Sequence, residues 1–473
     1  MKDKEKSIAD KKEFINALDF KTNDIQQDDT VMLQKAINQG AKEHLPVFIP
    51  KGIYLVGALF LKDKSHLIFE EGAVLKGKTE IEAFPEIDTR VAGIEMKWPA
   101  AILNVLSAKD ILIEGKGIID GQGEHWWELY WGKDQKSGTR AEYDRKGLRW
   151  IADYAIKRPR ACLLYHAEHV VIRDLIFQKS GFWNLQITYS NDVLVEKVII
   201  RHNDGPSTDG IDIDSSTDVR IYECDLACGD DCIAIKSGRD GNGARVNRKS
   251  SRIEIARCNI RSGYGVTIGS EVSAGISDVY IHDIDFFQSD CGIRMKSSRE
   301  RGGVIENIRV ENLNMMDVQF PFSWIMDWHN EYNRKNSNDL ERMPESWQAV
   351  AEEIPESKQM TKVRNIHVKN VQASLSPGYP LPSRAFDLVA FPEKPIEDVC
   401  FTHCTITAKE FGRIEAVQNL CFESCILSIE TGNTVANNTF DNRWNYNKVK
   451  LKYYFSLTFI FFNDILNNVV ASD

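Results

Sequence analysis

A six-residue pattern, apolar–any–apolar–any–any–apolar and usually led by Asp or Asn, recurs along most of this chain and constrains its fold more than any other feature. It reads ILIEGK from Ile111, where Lys116 breaks the last position, then VVIRDL from Val170, VLVEKV from Val193, VRIYEC from Val219 and IEIARC from Ile253. It continues as VYIHDI from Val279, IRVENL from Ile308, IHVKNV from Ile366, VCFTHC from Val399 and LCFESC from Leu420. The start-to-start spacings are 59, 23, 26, 34, 26, 29, 58, 33 and 21 residues, so most match one coil of a solenoid and the two largest match two coils. Each segment alternates like a strand and is too short to bury its own apolar face, so stacking on its neighbours is the economical solution. The expected fold is all-β, a right-handed single-stranded parallel β-helix with one repeat strand per coil. The last position of the pattern holds Cys224, Cys258, Cys404 and Cys425 where other copies hold Val, Ile or Leu, which predicts reduced thiols facing the interior.

A length of 473 residues is large for one compact domain but ordinary for a solenoid, which grows in one dimension. The expected organisation is an N-terminal segment over 1–44, a β-helix over 45–430 and an atypical tail over 431–473. Within the first, DDTVMLQKAINQGAKEH places Met32, Leu33, Ala36 and Ile37 on one face of a helix over residues 30–40, an apolar cap for the open end of the solenoid. From 318 to 362 the repeat lapses into a stretch with Trp324, Trp328, Tyr332 and Trp347, read as an insertion on the side of the rod where binding loops sit. The apolar run YYFSLTFIFF in the tail has ten residues, too few to span a bilayer. No apolar stretch follows MKDKEKSIADKKEF, so neither an export signal nor a membrane anchor is expected. Lys and Arg total 59 against 69 Asp and Glu, a net charge of −10, which excludes nucleic acid and anionic membranes as expected partners. The chain is expected to act as a monomer, and an acidic substrate would need a local basic patch.

Two aspartate-rich runs interrupt the repeat: GPSTDGIDIDSS from Gly205 to Ser216 and CGDDCIAIKSG from Cys228. Crowded carboxylates resist ionising together, so a fold keeps them mainly where a proton, a metal or a substrate needs them. The repeat places Asp209 one coil before Asp230 and Asp231, and stacked coils are about 4.8 Å apart. Three carboxylates can then share one patch. In GIRMKS, Arg294 and Lys296 are two residues apart and share the outer face while Ile293 and Met295 take the core; cations there would hold a carboxylate-bearing ligand. Between these coils SGYGVTIGS sets Tyr264 between two glycines, which either admit a ligand close to the backbone or make a tight corner.

PSTDGID, GDDCIAIKSG, SGYGVTIGSE and GIRMKS resemble, in order and approximate spacing, the NTD, DD, GHG and RIK signatures of the polygalacturonases, glycoside hydrolase family 28. GIIDGQGEHWW from Gly117 and SGFWNLQ from Ser180 look like that family's bacterial members, and the resemblance runs from about Leu45 to Cys425. It implies inverting hydrolysis of α-galacturonosidic bonds in a pectic oligo- or polysaccharide, with no cofactor and no metal. Asp230 matches the general acid, Asp209 and Asp231 the pair that activates water, and Arg294 and Lys296 the binders of the galacturonate carboxylate. A periplasmic or extracellular location is implied as well.

Two positions depart from the family pattern: Ser207 stands where Asn is usual and Tyr264 where His is usual. A phenol can hydrogen-bond a sugar but cannot supply imidazole protonation near neutral pH. The expectation therefore moves away from smooth homogalacturonan, and the large aromatic insertion, by closing one end of the groove, points to exo action on substituted or branched pectin such as rhamnogalacturonan. Two other readings stand beside it. In a pectate lyase the aspartates would hold calcium and a basic residue would abstract a proton. The third reading is a non-catalytic glycan-binding β-helix.

Overall fold

A computed structural model of the chain describes residues 13–21, 28–329, 345–435 and 450–453. The repeat segments form one continuous register. Ile111 pairs with Val170, and the column runs on through Val193, Val219, Ile253, Val279, Ile308, Ile366 and Val399 to Leu420, every step a parallel pairing of adjacent coils. Ile111 to Val170 and Ile308 to Ile366 are therefore single steps: each long spacing is one coil carrying an insertion, not the two coils expected. Sequence spacing alone cannot distinguish these cases, because an inserted loop of about one coil's length leaves the next repeat in phase.

Each coil contributes to three parallel sheets, not only to the one traced by the repeat. The first contains the repeat strands. The second includes Gly52–Val56, Ala73–Gly77, Ile118–Asp120 and Ile176–Gln178. The third includes Leu185–Thr188, Ile211–Asp214, Ile233–Lys236, Val266–Gly269, Cys291–Lys296, Phe320–Ile325 and Arg384–Val389. The fold is a right-handed parallel β-helix whose interior is a stack of aliphatic rungs such as Ile211, Ile233, Val266 and Ile293, all fully buried. Cys224, Cys258, Cys404 and Cys425 are unpaired and buried, as the pattern requires.

The N-terminal helix spans Asp29–Glu43 and is capped by Asp28, whose carboxylate accepts the Thr30 amide at 2.8 Å. Met32, Leu33, Ala36 and Ile37 are buried against the first coil. The opposite need, unpaired backbone at the strand edge, is met by side chains of the same helix. The Leu55 amide donates to Asp29, the Gly57 amide to Thr30, and Gln34 both accepts from the Phe60 amide and donates to its carbonyl. The cap thus closes the edge as well as the core.

Phe320–Ile325 corrects the expected start of the insertion. It is a regular strand of the third sheet, with Phe322 and Trp324 in the core, Phe322 stacked on Phe386 and Trp324 on Phe401. The departure from the coil begins after it. Tyr332 lies outside the described residues, as does most of the tail. Two other departures carry no repeat signal: the antiparallel hairpin Glu86–Val91 with Ile94–Pro99, and helices Gly123–Trp131, Thr139–Arg145 and Ala152–Ala155. Ile94, Trp150, Ile151, Tyr154 and Val350, joined by Tyr143 and Trp347, bind the hairpin, helices Thr139–Arg145 and Ala152–Ala155 and the segment after 345 into one apolar cluster. This cluster roofs the outer face of the third sheet.

Candidate active site

Alternation on a strand sends Ile211, Ile213, Ile233 and Ile235 inward and Asp212, Asp214, Ala234 and Lys236 outward. Under the roof the outward residues are buried too, Asp212 and Asp214 completely and Lys236 to 4% exposure. The turns entering these strands stack as the strands do. The Gly210 amide donates to the Asp231 carbonyl, which places Asp209 and Asp231 at the same level of adjacent coils. One carboxylate oxygen from each of Asp209, Asp230 and Asp231 lies within 4.8 Å of the others. Asp209 and Asp231 are buried and Asp230 is mostly buried but the most exposed of the three, so Asp230 faces the cleft.

Arg294 and Lys296, expected beside the aspartates, reach one of them. Lys296 Nζ is 2.7 Å and Arg294 Nη1 3.3 Å from the Asp231 carboxylate, and Thr267 Oγ1 donates to it at 2.7 Å. Tyr264 lies under the Arg294 guanidinium at 4.5 Å, and Trp328 lies 4.9 Å from Lys296 Nζ. The glycines flanking Tyr264 serve the corner. Both have positive φ, and a Cβ on Gly263 would meet the Asp230 carbonyl oxygen at 2.4 Å, one on Gly265 that of Gly292 at 2.2 Å. Ser207 lines the cavity but is turned to the helical insertion, its hydroxyl donating to Asp153 at 3.3 Å. Asp153 in turn meets Arg149 at 3.2 Å and Arg158 at 3.8 Å.

Sequence reasoning missed Lys236. Its ammonium sits 2.7 Å from Asp212, 3.2 Å from Asp209 and 4.0 Å from Glu271, over the Trp183 ring at 3.7 Å. All four residues lie in or beside runs already singled out; only the outward alternation from Asp212 and Asp214 to Lys236 pointed to their juxtaposition. Arg149, Trp150, Asp153 and Tyr154 also line the cavity, from an insertion without any periodic signal. The cavity measures about 200 Å³.

The carboxylates are pushed in opposite directions. Burial, with Asp231 alongside, raises Asp230 above the ordinary carboxylate range. Burial also acts on Asp231, but Lys296 and Arg294 overcome it and hold its carboxyl below that range. Asp209 is raised by burial and by Asp212, Asp230 and Asp231, against the pull of Lys236. Burial raises Asp212 to about 7 in spite of Lys236. Tyr264 is raised to about 12, chiefly by burial and then by Asp230, so it is a neutral phenol. One carboxyl that keeps its proton beside one that is firmly ionised is the arrangement of a general acid and a base. The three aspartates are also spaced as cation ligands. Lys236, Lys296 and Arg294 already supply positive charge to that cluster, however, and would repel a divalent ion.

The sequence model for "Glycosyl hydrolases family 28" matches residues 46–340. A probable polygalacturonase of Vitis vinifera is 28% identical over 390 residues, 80% of this chain and 70% of that protein. An exo-poly-alpha-D-galacturonosidase of Dickeya chrysanthemi is 25% identical over 61% of this chain and 52% of its own length. Among solved structures, a hyperthermoactive exopolygalacturonase from Thermotoga maritima superposes with a TM-score of 0.68 at 23% identity, covering 89% of this chain and 91% of that one. A family 28 exopolygalacturonase of Yersinia enterocolitica gives a TM-score of 0.72 at 19% identity, over 94% of this chain and 78% of the other.

Proposed function

The chain belongs to glycosyl hydrolases family 28 and is a glycosidase, and from that premise we propose that it removes α-linked galacturonosyl residues from the end of a pectic chain, with inversion at the anomeric carbon. The observation that carries the reading is the convergence of Asp209, Asp230 and Asp231, with Asp230 pushed towards its acid form and Asp231 held ionised. Asp230, the one of the three that faces the cleft, protonates the leaving oxygen. Asp231, with Asp209 beside it, orients and deprotonates the attacking water.

The carboxylate oxygens lie closer than the separation of about 6.5–9.5 Å common between the two carboxyl groups of inverting enzymes. What favours inversion is the state of Asp231. Its oxygens already accept from Lys296, Arg294 and Thr267, which lowers its nucleophilicity but leaves it able to direct a water. Arg294 and Lys296 line the cavity and would meet the sugar carboxylate while also touching Asp231, so substrate charge and base are coupled through the same two cations. Exo action is supported by the roof, whose hairpin and helices supply Ala92, Arg149, Trp150 and Tyr154 to the cavity wall. Tyr264 in place of the usual His, and Ser207 committed to Asp153, favour substituted or branched pectin over smooth homogalacturonan.

The test is a panel of defined pectic oligosaccharides followed by proton NMR from the first turnover. Monomeric galacturonate with inverted anomeric configuration is the expected first product. A retained anomer would replace inversion by a nucleophilic Asp, an unsaturated uronide formed only with calcium would indicate a lyase, and binding without turnover would indicate a glycan-binding protein.

A further inference from the structure

Eight of the ten cysteines are buried; the two that are not, Cys400 and Cys421, are direct register partners on adjacent strands of the first sheet. Cysteine is among the residues most often buried, and nothing in the interior packing requires a thiol on the outer face of a coil. The next outward residue of the second strand is Glu423, exposed, and its carboxylate oxygen and the two Sγ atoms all lie within 4.8 Å of one another. We propose that Cys400, Cys421 and Glu423 form a binding site for a thiophilic divalent cation of the zinc type, on a face of the solenoid distinct from the carboxylate cleft.

The ligand set is the ground for that choice of ion. Two thiolates and one carboxylate suit zinc, whose bonds of about 2.3 Å to sulfur and about 2.0–2.2 Å to oxygen set neighbouring ligands roughly 3.5 Å apart. Small side-chain rotations bring groups already within 4.8 Å to that separation. Hard cations such as calcium and magnesium prefer all-oxygen sites and are not expected to bind. Because the parallel register fixes both cysteines on adjacent rungs, the site is preorganised by the ladder from Ile396 to Glu423 rather than by a loop. Water fills the remaining coordination. The thiols bind as thiolates, so each releases its proton to solvent on metal uptake. With the site on the first sheet and the aspartates at the third, the bound ion would tie together the last coils of the rod and take no part in glycoside hydrolysis.

The probe is Co²⁺ added to the reduced full-length protein, followed by its thiolate charge-transfer and ligand-field absorption, then displacement by Zn²⁺. One equivalent should give a tetrahedral, thiolate-ligated spectrum that Zn²⁺ abolishes. Cys400→Ser with Cys421→Ser should lose the charge-transfer band while keeping the wild-type circular dichroism and glycosidase activity, and Glu423→Gln should weaken Co²⁺ binding by roughly tenfold. Zinc should also raise the melting temperature of the wild type and not of the double variant. Absence of the band from reduced protein, or its persistence in the double variant, would overturn the site. So would a Cys400–Cys421 disulfide that, once reduced, leaves thiols indifferent to Co²⁺.

Discussion

The outer faces of the first and third sheets are built from the same alternation and carry the same kinds of charge, yet they do opposite things. On the first, Arg252 holds Asp218 at 2.6 Å with the two side chains 59% and 41% exposed, and Arg364 holds Glu306 at 2.7 Å in a similar setting. On the third, Lys236, Asp212, Asp209, Asp231 and Lys296 form comparable contacts with less than a tenth of any side chain exposed. The backbone is indifferent to which face is which; the difference is the roof of hairpin, helices and post-345 segment over the third sheet. Exposed pairs of this kind contribute about 0–1 kcal/mol, whereas buried charges cost several kcal/mol each unless mutually satisfied. A fold that retains several of them under a dedicated roof does so for chemistry, and that contrast makes the site recognisable.

The largest expected effect is on the chemistry itself. Asp230→Asn removes the transferable proton and should slow turnover by roughly 10²- to 10⁴-fold with an unchanged melting curve, since general acid catalysis contributes about that much. Full activity of this variant would show that the covered carboxylates are structural, and the contrast between the two faces would lose its functional meaning.

The next sharpens the energetic side. Lys236→Met leaves Asp209 and Asp212 without their shared counter-ion, and urea denaturation should show a loss of about 3–5 kcal/mol, the usual cost of breaking a buried pair. A loss below about 1 kcal/mol would mean that the roof admits enough water to make this face no different from the exposed one.

A smaller effect concerns pH. Lys296 and Arg294 hold Asp231 below the ordinary carboxylate range, so its base form survives to acidic pH. Removing either cation destabilises the carboxylate and raises its pKa. The acid limb of kcat/KM against pH should therefore move to higher pH in Arg294→Gln and Lys296→Met, in addition to weaker binding of galacturonate-containing substrates. The alkaline limb, set by Asp230 losing its proton, should move to higher pH as well, because the same two cations also lower Asp230 and their loss lets it hold its proton further. An acid limb that stays in place would detach Asp231 from the base role.

How much of this was legible in the sequence follows from the same contrast. The first sheet announces itself because its apolar positions recur in register, and every repeat from Ile111 to Leu420 falls in one column. The third sheet is equally regular in space, but its outward positions hold Asp212, Ala234, Thr267, Arg294 and Ser323, a column with no common residue type. The aspartates and cations could be singled out because their motifs were dense and ordered. Lys236 could not, since its importance arises from three carboxylates on other coils and turns. Arg149 and Asp153 were invisible because the helices that carry them replace a loop between two coils and owe their position to Trp150 and Tyr154 packing against Ile94 and Val350. Likewise Phe320–Ile325 was hidden by its aromatic residues, which look like a binding loop in sequence and fill the core in space.

The smallest expected effect tests the other side of the comparison. Arg252 and Asp218 make a bidentate contact, Nε to Oδ1 at 2.7 Å and Nη2 to Oδ2 at 2.6 Å, geometry as good as any in the cleft. If geometry decided the worth of a pair, this one would rival Lys296 and Asp231. Exposure decides instead: water solvates both partners when they are apart, and salt screens them when they are together. A double-mutant cycle with Arg252→Ala and Asp218→Ala should give a coupling of about 0.5–1 kcal/mol or less, shrinking further at high ionic strength. The same cycle on Lys296 and Asp231 should give several times more and respond weakly to salt. Equal couplings on the two faces would mean that the roof does not lower the effective dielectric, and the opposed proton affinities of Asp230 and Asp231 would then need another cause.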